Sequence, residues 1–183
     1  MPNLTLPDGA LKEFDQPVSF ADVAKSIGPG LFKSAVAGKI DEKIFDLSYL
    51  INNDSNISII TKESEEGLEI IRHSTAHLMA HAVKELYPEA EVTIGPVIEN
   101  GFYYDFSIDN PFTDEDLGKI ENKMHEITKQ NLPISREVWQ KKEAVAHFKK
   151  INENYKAEII DDIPDDEDLS IYKQGDWIDL CRG

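Results

Sequence analysis

His73 and His77 stand four residues apart, so on a helix both imidazoles fall on one face within a single turn. His81 continues that face, drifting about 40° further round at the helical pitch. Two histidines at this spacing can share a metal ion, or flank one substrate and divide positioning from proton transfer. Ser74 follows the first histidine, so the glutamate that a metalloprotease helix uses as general base is missing. Cys181 is the sole thiol, with Asp176 and Asp179 close by in sequence. A cysteine joined to two histidines would fill three of the four positions of a tetrahedral zinc site. Taken singly, such a cysteine reads as a small buried hydrophobe, and a histidine pair reads as structural. In Gly101-Phe102-Tyr103-Tyr104-Asp105 a strand would send the two tyrosines to opposite faces, so that one packs and the other lines a cleft. Lys156, beside Tyr155, could orient a phosphate or a ribose if it is held near that cleft.

These groups need elements to carry them. A helical pattern from about Gly67 to Leu86 holds the three histidines and ends at Tyr87-Pro88. Ile94–Val97 and Gly101–Phe106 read as strands, with Asn100-Gly101 as the turn. Thr113 and Asp116 have capping-box spacing, and Leu117, Ile120, Met124 and Ile127 then fit one helical face. Pro133–Val138 reads as a strand, Trp139–Ile151 as a helix, Tyr155–Ile160 as a short strand and Asp176–Cys181 as a last strand.

Upstream lies a separate pattern. Leu4–Leu6, Pro7-Asp8-Gly9-Ala10 and Leu11–Phe14 read as a β-hairpin. Ser19 is an N-cap for a helix over Phe20–Ser26, with Val23 and Ile27 on the buried side and Gly28-Pro29-Gly30 as its stop. Leu31–Ile40, Lys43–Phe45 and Ile57–Thr61 complete a compact α+β unit of strands. The polar stretch 62–67 separates the two patterns, which predicts domains at 1–62 and 63–183.

The bulk composition bounds the partners. Net charge is −16, which argues against sequence-indifferent binding to phosphates. The charge is uneven: residues 1–62 hold 6 basic and 8 acidic groups, and residues 63–183 hold 13 and 27. Six acids fall in 161–168, a pattern expected of a solvated loop. Lys141, Lys142, Lys149 and Lys150 offer a local basic stripe. No apolar run reaches the ~20 residues of a membrane span, and Met1–Thr5 lacks the pattern of a signal peptide. A single cysteine suits the cytoplasm. No phosphate-binding loop of the Gly-x-x-x-x-Gly-Lys-Ser/Thr type occurs.

Taken together, three stretches resemble the proofreading domain of the threonyl-tRNA synthetases. They are Glu69-Ile70-Ile71-Arg72-His73-Ser74-Thr75-Ala76-His77-Leu78, the run from Ile94-Gly95-Pro96 to Tyr104-Asp105, and Asp179-Leu180-Cys181-Arg182-Gly183. Residues 1–62, with Thr5-Leu6-Pro7-Asp8-Gly9 and Ile27-Gly28-Pro29-Gly30, resemble the TGS module that precedes that domain. The resemblance implies an α+β chain: a β-grasp-like module, then a mostly antiparallel sheet with a long helix bearing His-x-x-x-His. It implies a parent enzyme that uses ATP to join threonine to tRNA(Thr), and a proofreading site that hydrolyses Ser-tRNA(Thr).

By the same resemblance His73 and His77 hold the terminal adenosine and the attacking water, with His73 as the group that positions or activates it. Lys156, Asp179 and Cys181 complete the site, Asp179 gripping the serine ammonium. Tyr104 lines it, and His81 is a further contact to substrate. No metal is required there, although His73, His77 and Cys181 would be the ligands if zinc binds. The ATP, Mg2+ and Zn2+ implied by the family belong to its catalytic domain, as does the homodimer. The partners are the acceptor end of tRNA(Thr) and its serine ester, with no membrane. The family motif runs Cys-Arg-Gly-Pro-His and the sequence stops at Gly183. The expectation is a site short of one histidine, an open sheet edge, and little hydrolysis by these residues alone. Two other readings stay open: a free-standing deacylase of the alanyl-related kind, and a non-catalytic RNA-binding or regulatory TGS module.

Overall fold

The computed structural model describes residues 1–165 and 167–181. Asp166 of the acidic run and Arg182-Gly183 of the last motif lie outside them. The fold is α+β and separates into two compact units, Met1–Arg72 and His73–Gly183. Among the described residues no helix is long and apolar enough to cross a membrane.

In the first unit β1 (Asn3–Thr5) and β2 (Leu11–Glu13) form the expected hairpin, followed by β3 (Val18–Ser19) and α1 (Phe20–Ile27). Ser19 caps α1 by accepting the Asp22 amide. Pro29 then opens a second helix, α2 (Pro29–Ser34), so the strand expected from Leu31 starts only at β4 (Ala35–Ile40). The Gly-Pro pair ends one helix and pre-sets the first φ of the next. Ile27, expected inside, is 40% exposed because it sits in the last turn of α1. The strands β5 (Lys43–Phe45), β6 (Leu50–Ile51) and β7 (Ser55–Thr61) complete a five-stranded sheet, β2-β1-β7-β4-β5, and a two-stranded one, β3-β6. Only the β1–β7 pairing is parallel. Phe20 packs where Gly38 of β4 carries no side chain, since a Cβ there would overlap its ring. Leu4, Val18, Val23, Ile51 and Ile57 enclose it.

Helix α3 (Glu65–Leu86) begins in the first unit and ends in the second. Its Ala82 and Val83 pack with Ile120 and Ile127 of α4 (Asp114–Gln130). Thr113 and Asp116 form the capping box, and two hydrogen bonds from Thr113 hold the Asp116 carboxyl well below the usual range. Leu117, read as core, is 56% exposed because it lies one turn in, off the Ile120–Ile127 line.

Between α3 and α4 the chain makes four two-residue strands. They are β8 (Glu91–Val92), β9 (Val97–Ile98), β10 (Gly101–Phe102) and β11 (Phe106–Ser107), paired β8–β11 and β9–β10. The expected strands Ile94–Val97 and Gly101–Phe106 are therefore broken, with Ile94–Pro96 and Tyr103–Asp105 outside regular pairing.

The rest is β12 (Ile134–Trp139), α5 (Lys141–Lys150), α6 (Asn154–Asp162), β13 (Leu169–Gln174) and β14 (Trp177–Leu180). The strands form an antiparallel sheet, β12-β13-β14. Ala144 and Phe148 of α5 and Ala157 and Ile160 of α6 pack against Leu169 and Ile171. The strand expected at Tyr155–Ile160 is thus a helix. Ala157 and Ile160 bury at a spacing of three, the helical period, which a window of six residues is too short to tell from a strand.

Candidate functional site

The site is a meeting of α3 with the end of β14. Four helix residues rise about 6 Å, and two strand residues advance about 6.7 Å, so the two repeats stay in step for a few residues. On the strand side Trp177, Asp179 and Cys181 alternate onto one face. On the helix side are His81, His77 and His73. His81 stacks on Trp177 with ring centroids 5.1 Å apart. His77 Nδ1 lies 2.9 Å from Asp179 Oδ2, and His73 Nε2 lies 2.9 Å from Cys181 Sγ. The two imidazoles touch through their Nε2 atoms at 3.1 Å.

Asp179 is 1% exposed and its carboxylate is fully engaged. Oδ1 receives Lys156 Nζ at 2.7 Å and the Leu180 amide at 2.8 Å. Oδ2 receives the Tyr104 hydroxyl at 2.8 Å. The His77 contact to Oδ2 is close but off the N–H direction, so it is ionic and leaves Nδ1 without an aligned acceptor. Lys156 Nζ also reaches the Tyr104 oxygen at 3.4 Å.

Tyr104 arrives from the unpaired stretch between β10 and β11, and Lys156 from the first turn of α6. Tyr103 is exposed while Tyr104 turns inward, as alternation predicts, although no strand is present. Gly95 makes room for Tyr104, because a Cβ at that position would overlap the tyrosine ring.

Burial opposes every charge in this cluster, and the partners decide each outcome. Burial depresses His77, yet Asp179 and Cys181 outweigh it and raise its pKa from 6.5 to about 9. Burial raises Cys181, yet His73 and His77 outweigh it and bring the thiol down to about 6. Asp179 stays below the usual carboxylate range because Lys156, then His77, overcome its desolvation. Tyr104 is pushed up by burial and by the Asp179 charge, so it remains a hydroxyl donor. These directions favour a charged His77–Asp179 pair, beside a Cys181 thiol that the two imidazoles draw toward its thiolate.

Residues 2–61 match the TGS domain family. Across 183 residues, all of the chain, it is 62% identical to the threonine–tRNA ligase of Azoarcus sp. (strain BH72) and 61% identical to that of Aromatoleum aromaticum (strain DSM 19018 / LMG 30748 / EbN1). It is 60% identical over 178 residues to that of Nitrosomonas eutropha (strain DSM 101675 / C91 / Nm57), covering 97% of the chain and 28% of that protein. Over its whole length the chain is thus similar to one part of these threonine–tRNA ligases, with a TGS domain at residues 2–61. It spans 29% of the length of the first two of these relatives.

The structure brings together five residues expected from sequence around His73: His77, Tyr104, Lys156, Asp179 and Cys181. His81 stands one ladder step away, 5% exposed, hydrogen-bonded to Gln174 at 3.0 Å and paired with Glu85 at 3.2 Å. Asp176 is exposed in the turn before β14 and joins none of them. The expected ammonium grip by Asp179 meets a carboxylate already saturated by protein donors. Trp177 was missed, though its spacing of two from Asp179 and of four from Cys181 carried the signal. The contribution of Gly95 was also missed, and nothing local marked it.

By donor type His73, His77 and Cys181 could hold a zinc ion, all ligand atoms lying within 4.8 Å of one another. Tetrahedral zinc would hold such donors roughly 3.3–3.6 Å apart, whereas these stand at 2.9 and 3.1 Å, bonded to each other. The donor set fits a metal in kind, and the spacing fits direct hydrogen bonds.

Proposed function

We propose that residues 63–183 are the proofreading domain of a threonine–tRNA ligase, hydrolysing the serine ester of tRNA(Thr), with residues 1–62 as its TGS domain. The observation that carries this reading is the convergence on one carboxylate and its thiol neighbour of side chains from three other chain segments. They are the same side chains that the resemblance assigns to proofreading. The longer protein would charge tRNA(Thr) with threonine in the cytoplasm as a homodimer, with ATP, Mg2+ and Zn2+ at its catalytic domain.

Charging must distinguish serine from threonine by one methyl group, which binding resolves by only about 1–3 kcal/mol. A second pocket that admits serine and excludes that methyl raises the fidelity. In the reaction a water oxygen bonds to the seryl carbonyl carbon, and the ester bond to the ribose oxygen breaks. One water proton moves to the leaving ribose oxygen, giving free serine and a free hydroxyl. His73 is the base that positions or deprotonates the water, its Nε2 held in place by Cys181 and His77. Asp179 organises Lys156, His77 and Tyr104 instead of gripping the ammonium. Lys156 presents its remaining N–H donor toward the ester and the ribose, and Tyr104, its hydroxyl proton committed to Asp179, lines the pocket. No step in this scheme uses a metal, and metal analysis of the purified protein tests that feature.

The decisive assay is release of serine from Ser-tRNA(Thr) by a polypeptide of the relatives' length, with the 183-residue chain alongside. In the longer protein His73→Ala should slow release by about a hundredfold or more while threonine charging stays normal. Unchanged release would remove His73 from the chemistry. Binding of tRNA without release by any form would favour a non-catalytic RNA-binding module, and equal release from unrelated aminoacyl-tRNAs a general deacylase.

A further inference from the structure

Lys156 sits in the first turn of α6, and its ammonium lies in an almost fully buried position beside Asp179. That placement depends on how the start of α6 is tied down, and the ties are reciprocal. Glu91 of β8 accepts the Asn154 amide at 2.9 Å and the Tyr155 amide at 3.4 Å, capping α6 from another element. Glu153, the residue before α6, sends its own carboxylate back and accepts the Val92 amide of β8 at 2.8 Å. Its second oxygen lies 2.6 Å from Lys84 Nζ of α3. Lys84 also donates to the carbonyls of Pro88 and Ala90, both at 2.8 Å. Glu153 is 4% exposed. A carboxylate so deeply buried is retained at a cost unless its partners are in place. Lys84 lies on the same helix as His77, seven residues further on, so the ties join the helix of the histidines to the helix of the lysine.

We propose that Glu153, Lys84 and Glu91 form a clasp that positions Lys156 against Asp179 and Tyr104. The clasp is a property of the fold, and its catalytic consequence rests on the proofreading reading above. The three residues touch neither the thiol nor the imidazoles. They act through Lys156 and are positioning residues.

Two measurements test it. In the 183-residue chain the side-chain NMR resonances of Lys156 should shift in Glu153→Gln, and the Asn154 and Tyr155 amides should exchange faster with solvent. Glu91→Leu, at a half-exposed position, should produce the same amide effect if Glu153→Gln does not fold. Lys156 resonances and amide exchange that match the wild type in a folded variant would overturn the clasp.

In a polypeptide of the relatives' length Glu153→Gln should lower kcat for Ser-tRNA(Thr) release about tenfold with KM little changed. In a Lys156→Met background the same change should cost less than about twofold, since its effect is already lost. Equal losses in both backgrounds would also overturn it, as general destabilisation predicts that result. No release by the parent protein, with Lys156 still displaced in the NMR experiment, would sink the proofreading reading and leave the clasp standing.

Discussion

Lys156, Tyr104 and the Leu180 amide direct donors at the two oxygens of Asp179, and His77 adds an ionic contact. Removing that carboxylate leaves a buried ammonium with one weak acceptor, so Asp179→Ala should destabilise the second unit by about 3–5 kcal/mol. Urea unfolding measures this, and a loss under 1 kcal/mol, less than the ordinary range for such pairs, would mean that water replaces the carboxylate. His77 adds a pH dependence. Its folded pKa of about 9 exceeds the ordinary 6.5, so its imidazolium stabilises the fold fully below pH 6.5 and loses that effect as pH rises through 9. The gap in urea midpoint between the protein and His77→Gln should therefore narrow across that window, and a constant gap would contradict the assignment. Much of this chemistry was legible in residue types and spacing: His73, His77 and Cys181 were readable as one donor set. The saturation of Asp179 was not, because its side-chain partners Lys156, Tyr104 and His77 lie 23, 75 and 102 residues away in sequence.

Among the elements, the match of α3 to β14 sets the site, and the stretch from β8 to β11 closes it. Gly95→Ala should displace Tyr104 and slow serine release by about tenfold or more while leaving the α4 core intact. Circular dichroism alongside the release assay checks both, and full activity would mean that the loop shifts to admit the methyl. Thr113→Ala removes the α4 cap, 40 residues from His73 in sequence, and should cost about 1 kcal/mol of stability without changing release. A variant with normal stability would show that Asp116 holds the helix start unaided. The capped helices α1 and α4 and the long α3 were readable from sequence. The short pieces were not. In α6 and in β9 to β11 the pattern spans too few residues to separate a period of two from one nearer four, and packing against α5, or the pairing of β9 with β10 and of β11 with β8, chooses between them.

At the scale of the whole molecule, 35 acidic groups against 19 basic ones set the terms for any RNA partner. Binding to random-sequence duplex RNA should be undetectable at physiological salt, and binding to the acceptor end of tRNA(Thr) should change little with salt. A steep dependence, equivalent to contact with more than about three phosphates and release of their counterions, would point to a concentrated basic surface instead.

The resemblance to threonine–tRNA ligases, the α+β class and the candidate donors His73, His77 and Cys181 were legible in the sequence alone, because motif order and helical spacing are local properties of a chain. The tertiary structure decided that Lys156 rides on a helix, that Asp179 is a saturated hub, that His81 stacks on Trp177, and that Glu153 braces the lysine. Each of those facts depends on which distant segments pack together, and packing is settled by burial and by the pairing of polar groups across the fold.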